Sequence, residues 1–184
     1  MPPDLLEIHD QYYGRVRRFI LSLVRDAWVA DDLVQETFIK VSLKLDTLQD
    51  PSKRSSWIFR IAYNLCQDHF RGQKKGAVSD LQDPDIISIL GIAPSQEKLE
   101  QHQMSACVQR QMDLLPDTYR AVLILSDELE FDHREMAEIL EISVENVKVR
   151  LHRARKKLKA ILEEKCLFEK DERAVLICLP KTSD

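Results

Sequence analysis

The chain has 184 residues, 44% hydrophobic and 32% charged, with only 4 Gly and a formal net charge of −4. That length holds one domain or two small ones, and the acidic balance excludes a protein that coats nucleic acid non-specifically. No apolar run approaches the ~20 residues of a membrane span, the start MPPDLLEIHD lacks a secretory pattern, and Cys66, Cys107, Cys166 and Cys178 are too scattered for a zinc or disulfide framework; a cytoplasmic protein without a metal or cofactor is expected.

Apolar residues recur at three and four from Leu5 through Ile8, Tyr12, Val16, Phe19 and Leu23, which predicts an amphipathic helix ending near Val24, with Arg15, Arg17, Arg18 and Arg25 outside. After a break at Asp26 to Trp28, a second helix is predicted from Ala30 to Leu45, with Leu33, Val34, Phe38, Val41 and Leu45 inward. Its first turns carry Asp31, Asp32, Gln35 and Glu36 on one exposed face. Two of these carboxylates are expected where a helix dipole favours them, so helix-end stabilisation, protein docking and divalent-metal binding all remain open for the patch.

A loop at Pro51 to Ser55, bearing Lys53 and Arg54, leads into a third predicted helix, Ser56 to Arg71. Ile58, Ile61, Ala62 and Leu65 form its inner stripe, with Trp57 and Phe59 beside it. Arg60, Asn64, Asp68, His69 and Arg71 are left to face water or a ligand, and basic groups next to aromatics and an amide suit single-stranded nucleic acid. Core packing of Trp57 and Phe59 is the simpler reading. From Gly72 to Gln103 the pattern loosens into a linker carrying an apolar island, Ile86 to Ile92.

A helix is predicted from Leu99 through Val108, Met112 and Leu115 to Pro116, and another from Asp117 to Ser126 with Tyr119, Val122, Leu123 and Leu125 inward. Asp132 and Glu135 then make a capping box for a short helix ending at Leu140, whose Met136, Ile139 and Leu140 are apolar. Glu141 to Ser143 form the turn, and Ser143 caps a second helix with Val147, Leu151, Ala154, Leu158 and Leu162 on one stripe. Lys148, Val149, His152, Arg153 and Lys156 lie beside that stripe, and Arg150, Arg155, Lys157 and Lys159 add to the local positive charge. Short helix, tight turn and basic helix make a helix-turn-helix, whose second helix, about 25 Å long from Ser143 to Lys159, suits the major groove of DNA. Beyond Glu164 a tail holds the apolar run Ala174 to Leu179. That run is open to three readings: packing on a neighbouring surface or the recognition helix, contact with a partner, or a disordered end. Cys166 and Cys178 are candidates for a redox report, although nothing nearby lowers a thiol pKa.

With DDLVQETF, SSWIFRIAYNLCQDHFR and the helix-turn-helix in this order, the chain resembles the bacterial extracytoplasmic-function sigma factors of RNA polymerase. The resemblance implies an all-α fold of two small helical domains joined by a flexible linker: an N-terminal sigma domain over residues 1–75, a linker over 76–103, a helix-turn-helix domain over 104–165 and an extension over 166–184. It assigns Asp31, Asp32, Gln35 and Glu36 to docking on the β′ clamp helices of core RNA polymerase. It places Asn64 at the pocket for an extruded minus-ten base, with Lys53, Arg54, Ser55, Ser56, Arg60 and Arg71 alongside. Lys148, Val149, Arg150, His152 and Arg153 are assigned to the minus-thirty-five element, with Arg155, Lys156 and Lys157 towards phosphates. An anti-sigma factor is the implied regulator, and the chemistry is left to polymerase, so the chain itself is expected to be no enzyme. Glu141 stands where many relatives carry Gly, Glu145 and Asn146 where small residues are common, and Val149 where Ser is frequent, so promoter preference is this chain's own. Two competitors remain from the residues alone: a self-standing helix-turn-helix regulator, and a nuclease using Asp31, Asp32 and Glu36 as metal ligands.

Overall fold

The computed structural model describes residues 5–75, 108–170 and 176–180; the linker with Ile86 to Ile92, and the helix expected from Leu99 as far as residue 107, lie outside them. The first helix, α1 (Leu5–Val24), buries Ile8, Tyr12, Val16, Phe19, Ile20 and Leu23, the stripe that its apolar spacing requires. Arg25 ends it in the left-handed region (φ 60°), its N–H donating to Leu21 O at 2.8 Å. α2 (Ala27–Lys44) starts at once, three residues earlier than its apolar pattern suggests. The cause is Asp26, whose carboxylate accepts from the backbone N–H of Trp28 (2.9 Å) and Val29 (3.1 Å), so the expected break is a helix cap. Asp50 does similar work before α3 (Arg54–Lys75), accepting from Ser52 N at 2.9 Å and starting a 3-10 turn at Pro51. The Ser52 hydroxyl, donating to the same carboxylate at 2.7 Å, and the Ser52 backbone N–H hold the Asp50 carboxyl below its usual range.

In the second unit, a helical turn at 108–112 is followed by α4 (Asp117–Leu123), which widens into a π-helical turn over Ile124–Glu128. Arg120 is wholly buried there, held by Asp117 and, at 3.5 Å, by Asp113. Burial pulls its guanidinium down from the ordinary value and pushes the Asp113 carboxyl up, while the charges of Asp117 and Asp113 act the other way on Arg120, and that of Arg120 on Asp113. α5 (His133–Leu140) carries the expected capping box: Asp132 Oδ1 accepts from Arg134 N and Glu135 N, and Glu135 Oε2 accepts from Asp132 N at 2.9 Å. Ser143 caps α6 (Val144–Lys165) through Asn146 N at 3.2 Å.

One hydrophobic core runs through both units. α3 packs on α1 and α2 and also on α5. Phe59 of α3 sits 5.0 Å from Phe131 in an edge-on contact, and 5.5 Å from Phe19 on its other side. The Arg15 guanidinium lies over both Phe59 and Phe131 and donates to Leu129 O at 3.1 Å. Arg25 donates to Asp113 O at 2.9 Å. The helical architecture is the one expected, with one addition: β1 (Cys166–Lys170) and β2 (Leu176–Pro180) pair antiparallel as a hairpin after α6. Their register sets Cys166 opposite Pro180 and Cys178 opposite Phe168, so the two cysteines are not cross-strand partners.

Candidate nucleic-acid interface

Asp32, Gln35 and Glu36 are exposed on α2, while Asp31 is half-buried and accepts from Arg17 Nε at 2.7 Å. That hydrogen bond raises the Arg17 pKa. Glu36 is paired with Lys40 at 3.0 Å. Because α2 begins at Ala27, no acid falls in its first turn, and the expected dipole stabilisation of this patch is absent. Among the described residues no three side chains are grouped to hold a metal. Sequence reasoning missed what shares the face: Trp28 (85% exposed), Ile39 (58%) and Leu43 (77%) follow the same helical stripe as Asp32 and Gln35. The signal was present in these residues, which stand opposite Val34 and Val41 rather than with them.

At the start of α3, Lys53 is exposed, Arg54 and Ser55 are half-buried and Ser56 is buried. Lys53 Nζ reaches Glu138 Oε1 of α5 at 2.5 Å, and Ser56 Oγ reaches Glu138 Oε2 at 3.1 Å. The Lys53 hydrogen bond, helped by Ser56 and by the charge of Arg60, holds the Glu138 carboxyl below its usual range against a desolvation that raises it. Lys53 is correspondingly raised. Asn64 is half-buried one turn beyond Arg60. Arg71 is paired with Asp68 at 3.0 Å and lies about 16 Å further along the helix than Arg60 at 1.5 Å per residue, so it stands apart from the cluster.

On α6 the packing side is Val147, Leu151 and Ala154, with Leu158 half-buried. Lys148, Val149, His152, Arg153 and Lys156 form the exposed face, Val149 being 47% exposed. Two further basic residues, Arg150 and Arg155, flank the packing stripe and are engaged within the chain. Arg155 Nη2 donates to Asp127 Oδ1 at 2.6 Å and Ser126 Oγ at 3.3 Å. Arg150 is half-buried beside Tyr63 of α3, whose hydroxyl pKa burial raises and the Arg150 charge lowers. The helix-turn-helix turn is left-handed at Glu141, with φ 53° and ψ 45°, the region that favours Gly. Glu141→Gly should therefore stabilise the chain by about 1 kcal/mol, seen as a higher urea midpoint with unchanged slope; an unchanged or lower midpoint would show that the turn carries no strain.

The chain has recognisable relatives among known proteins. It matches the Sigma-70 region 2 family over residues 8–76 and the Sigma-70, region 4 family over residues 105–158. It is 32% identical over 168 residues to the RNA polymerase sigma factor SigZ of Bacillus subtilis, covering 91% of this chain and 92% of that protein. The chain belongs to the extracytoplasmic-function RNA polymerase sigma factors. The ECF RNA polymerase sigma factor SigM of Bacillus subtilis is 36% identical over 156 residues, 84% of this chain and 93% of that one. In fold, this sigma factor is similar to RpoE of Bartonella quintana, solved with the anti-sigma factor NepR (TM-score 0.65, 24% identity, 87% of this chain and 97% of that one). It is also similar to CnrH, solved with the cytosolic domain of CnrY (TM-score 0.62, 25% identity, 87% and 88%). As a sigma factor it is a transcription initiation factor that joins core RNA polymerase and takes it to promoters, which sets aside the self-standing regulator. Among its described residues no helix is long and apolar enough to cross a membrane.

Proposed function

We propose that this sigma factor divides its work between two faces, with polymerase docking on α2 and minus-thirty-five recognition on α6, and with the start of α3 serving the minus-ten element. Asp32, Gln35 and Glu36 dock on the basic clamp helices of β′, with Trp28, Ile39 and Leu43 supplying the apolar contact; Asp31 contributes through Arg17, holding α1 to α2. Asn64 takes the extruded minus-ten base, with Lys53, Arg54, Ser55, Ser56, Arg60 and Arg71 along the strand. Lys148, Val149, His152 and Arg153 read the minus-thirty-five groove, with Arg150 beside them once it leaves Tyr63, and Lys156 and Arg155 towards phosphates. Residues 1–75 and 104–165 are the two working domains, 76–103 the linker and 166–184 an extension. The chain supplies recognition, while polymerase forms the phosphodiester bonds, and it works in the cytoplasm. Control by an anti-sigma factor belongs to the same reading: CnrH was solved with the cytosolic domain of CnrY, and RpoE, which shares the fold, with an anti-sigma factor.

The observation that carries the reading is the chemical contrast between two exposed faces in one chain, acidic and apolar on α2 but basic on α6. The test is transcription reconstituted from core polymerase, this chain and genomic fragments, with start sites mapped by 5′-end sequencing. Specific starts that need both components are expected, and starts indifferent to the added chain would sink the assignment. Replacing Lys148 and Arg153 with Ala should weaken minus-thirty-five recognition by about 1–3 kcal/mol for a residue making a bidentate base contact. The holoenzyme footprint would recede over that element, and an unaltered footprint refutes the groove contact.

A further inference from the structure

Val149 is the one large apolar side chain left exposed on α6, at 47%. Its neighbours one turn away in either direction, Glu145, Asn146, His152 and Arg153, are all exposed and polar, so it stands as an apolar island in a polar face. Burial does not account for Val here, and neither does helix propensity, since a branched side chain loses χ1 freedom in a helix. The surrounding residues carry the chemistry of a DNA groove. Glu145, in the first turn where the helix dipole favours a carboxylate, is repelled by phosphate oxygens but accepts from the amino group of a base. Asn146 matches the donor and acceptor of adenine, and Lys148 and Arg153 match the acceptors of guanine. Val149 lies about 7.5 Å along the axis from the start of α6 at 1.5 Å per residue, within the part of a recognition helix that meets base edges. The apolar feature of a major-groove edge is the C5 methyl group of thymine.

We propose that Val149 selects thymine: its branched side chain packs on the C5 methyl group of one thymine in the minus-thirty-five element, which makes that A·T pair a fixed position in the promoters this sigma factor uses. The proposal rests on the placement of α6 in the minus-thirty-five groove and names the base feature that Val149 reads there. Because Val149 is exposed and lies off the packing stripe of Val147, Leu151 and Ala154, its replacement leaves the core intact.

The minus-thirty-five elements upstream of the mapped starts should share one thymine, on either strand. Holoenzyme is then titrated by fluorescence anisotropy onto a promoter duplex in which each thymine of the element is replaced in turn by uracil, which lacks only the methyl group. Affinity should fall at the shared position about fourfold, the ~0.8 kcal/mol of a buried methyl group at tenfold per 1.4 kcal/mol. Holoenzyme carrying Val149→Ala should bind the thymine and uracil duplexes alike, with its helix content unchanged by circular dichroism. The absence of a shared thymine, an unmodified chain indifferent to uracil, or a uracil effect that persists in Val149→Ala would each overturn the proposal. The underlying placement of α6 is read separately by the footprint of the Lys148→Ala, Arg153→Ala holoenzyme. An unaltered footprint there removes α6 from the groove and the thymine contact with it. A footprint that recedes while uracil changes nothing leaves α6 in the groove and assigns Val149 to a protein contact instead.

Discussion

Reversing Asp32 and Glu36 to Lys together is expected to abolish association with core polymerase while leaving the fold intact. Both side chains are exposed and neither caps α2, whose start is held by Asp26. The local cost is small: Glu36 gives up one i,i+4 pair with Lys40, worth about 0.2–0.5 kcal/mol. At an interface with a basic partner the same reversals turn attraction into repulsion, and close charge pairs there couple by about 1.5–7 kcal/mol. Two such losses amount to a fall in affinity of at least about 100-fold, since 1.4 kcal/mol is tenfold. Co-elution with core polymerase on gel filtration reads it, with circular dichroism as the check on folding. Retained co-elution at wild-type strength removes α2 from the docking surface. Reversal of Asp31 would mix stability with binding, because its pair with Arg17 ties α1 to α2. Trp28→Ala is the apolar counterpart: a large exposed aromatic at the rim of the patch should cost about 2 kcal/mol or more if it is an anchor of the contact.

Asn64→Ala should separate binding from strand opening. The residue is half-buried on α3, and its carboxamide offers a donor and an acceptor to one base edge. On the proposed role of Asn64 the extruded base would lose its pairing, and open-complex formation should fall at least about tenfold, or 1.4 kcal/mol, with co-elution on polymerase kept. Permanganate reactivity of unpaired thymines measures the open complex directly. Full reactivity in the variant would count against a base pocket at this position.

The helices were legible because apolar spacing shows which face of a segment must be buried, as in Ile8, Tyr12, Val16, Phe19 and Leu23 of α1. Caps were legible where side chain and helix are close in sequence: Asp132 with Glu135, and Ser143. Asp26 was overlooked because Trp28, in the first turn it caps, faces outward and gives no apolar beat to announce the helix. Periodicity does not say which apolar face meets which. The contact of Phe59 with Phe131, the grip of Glu138 on Lys53 and Ser56, and the engagement of Arg150 at Tyr63 all join residues more than seventy positions apart in the chain. The patch on α2 was read as acidic and amide only, because exposed Trp28, Ile39 and Leu43 look like core residues until the buried stripe through Leu33, Val34 and Val41 is placed.

The aromatic contact at Phe59 has a thermodynamic corollary. Because its ring is shared between Phe19 on one side and Phe131 on the other, the two halves are expected to melt as one cooperative unit, not as beads on a string. Phe59→Ala, at about 3–5 kcal/mol, should lower a single calorimetric transition instead of splitting it. Drawing the halves apart wets this aromatic seam, and the open chain therefore carries a larger heat capacity and a surface prone to self-association.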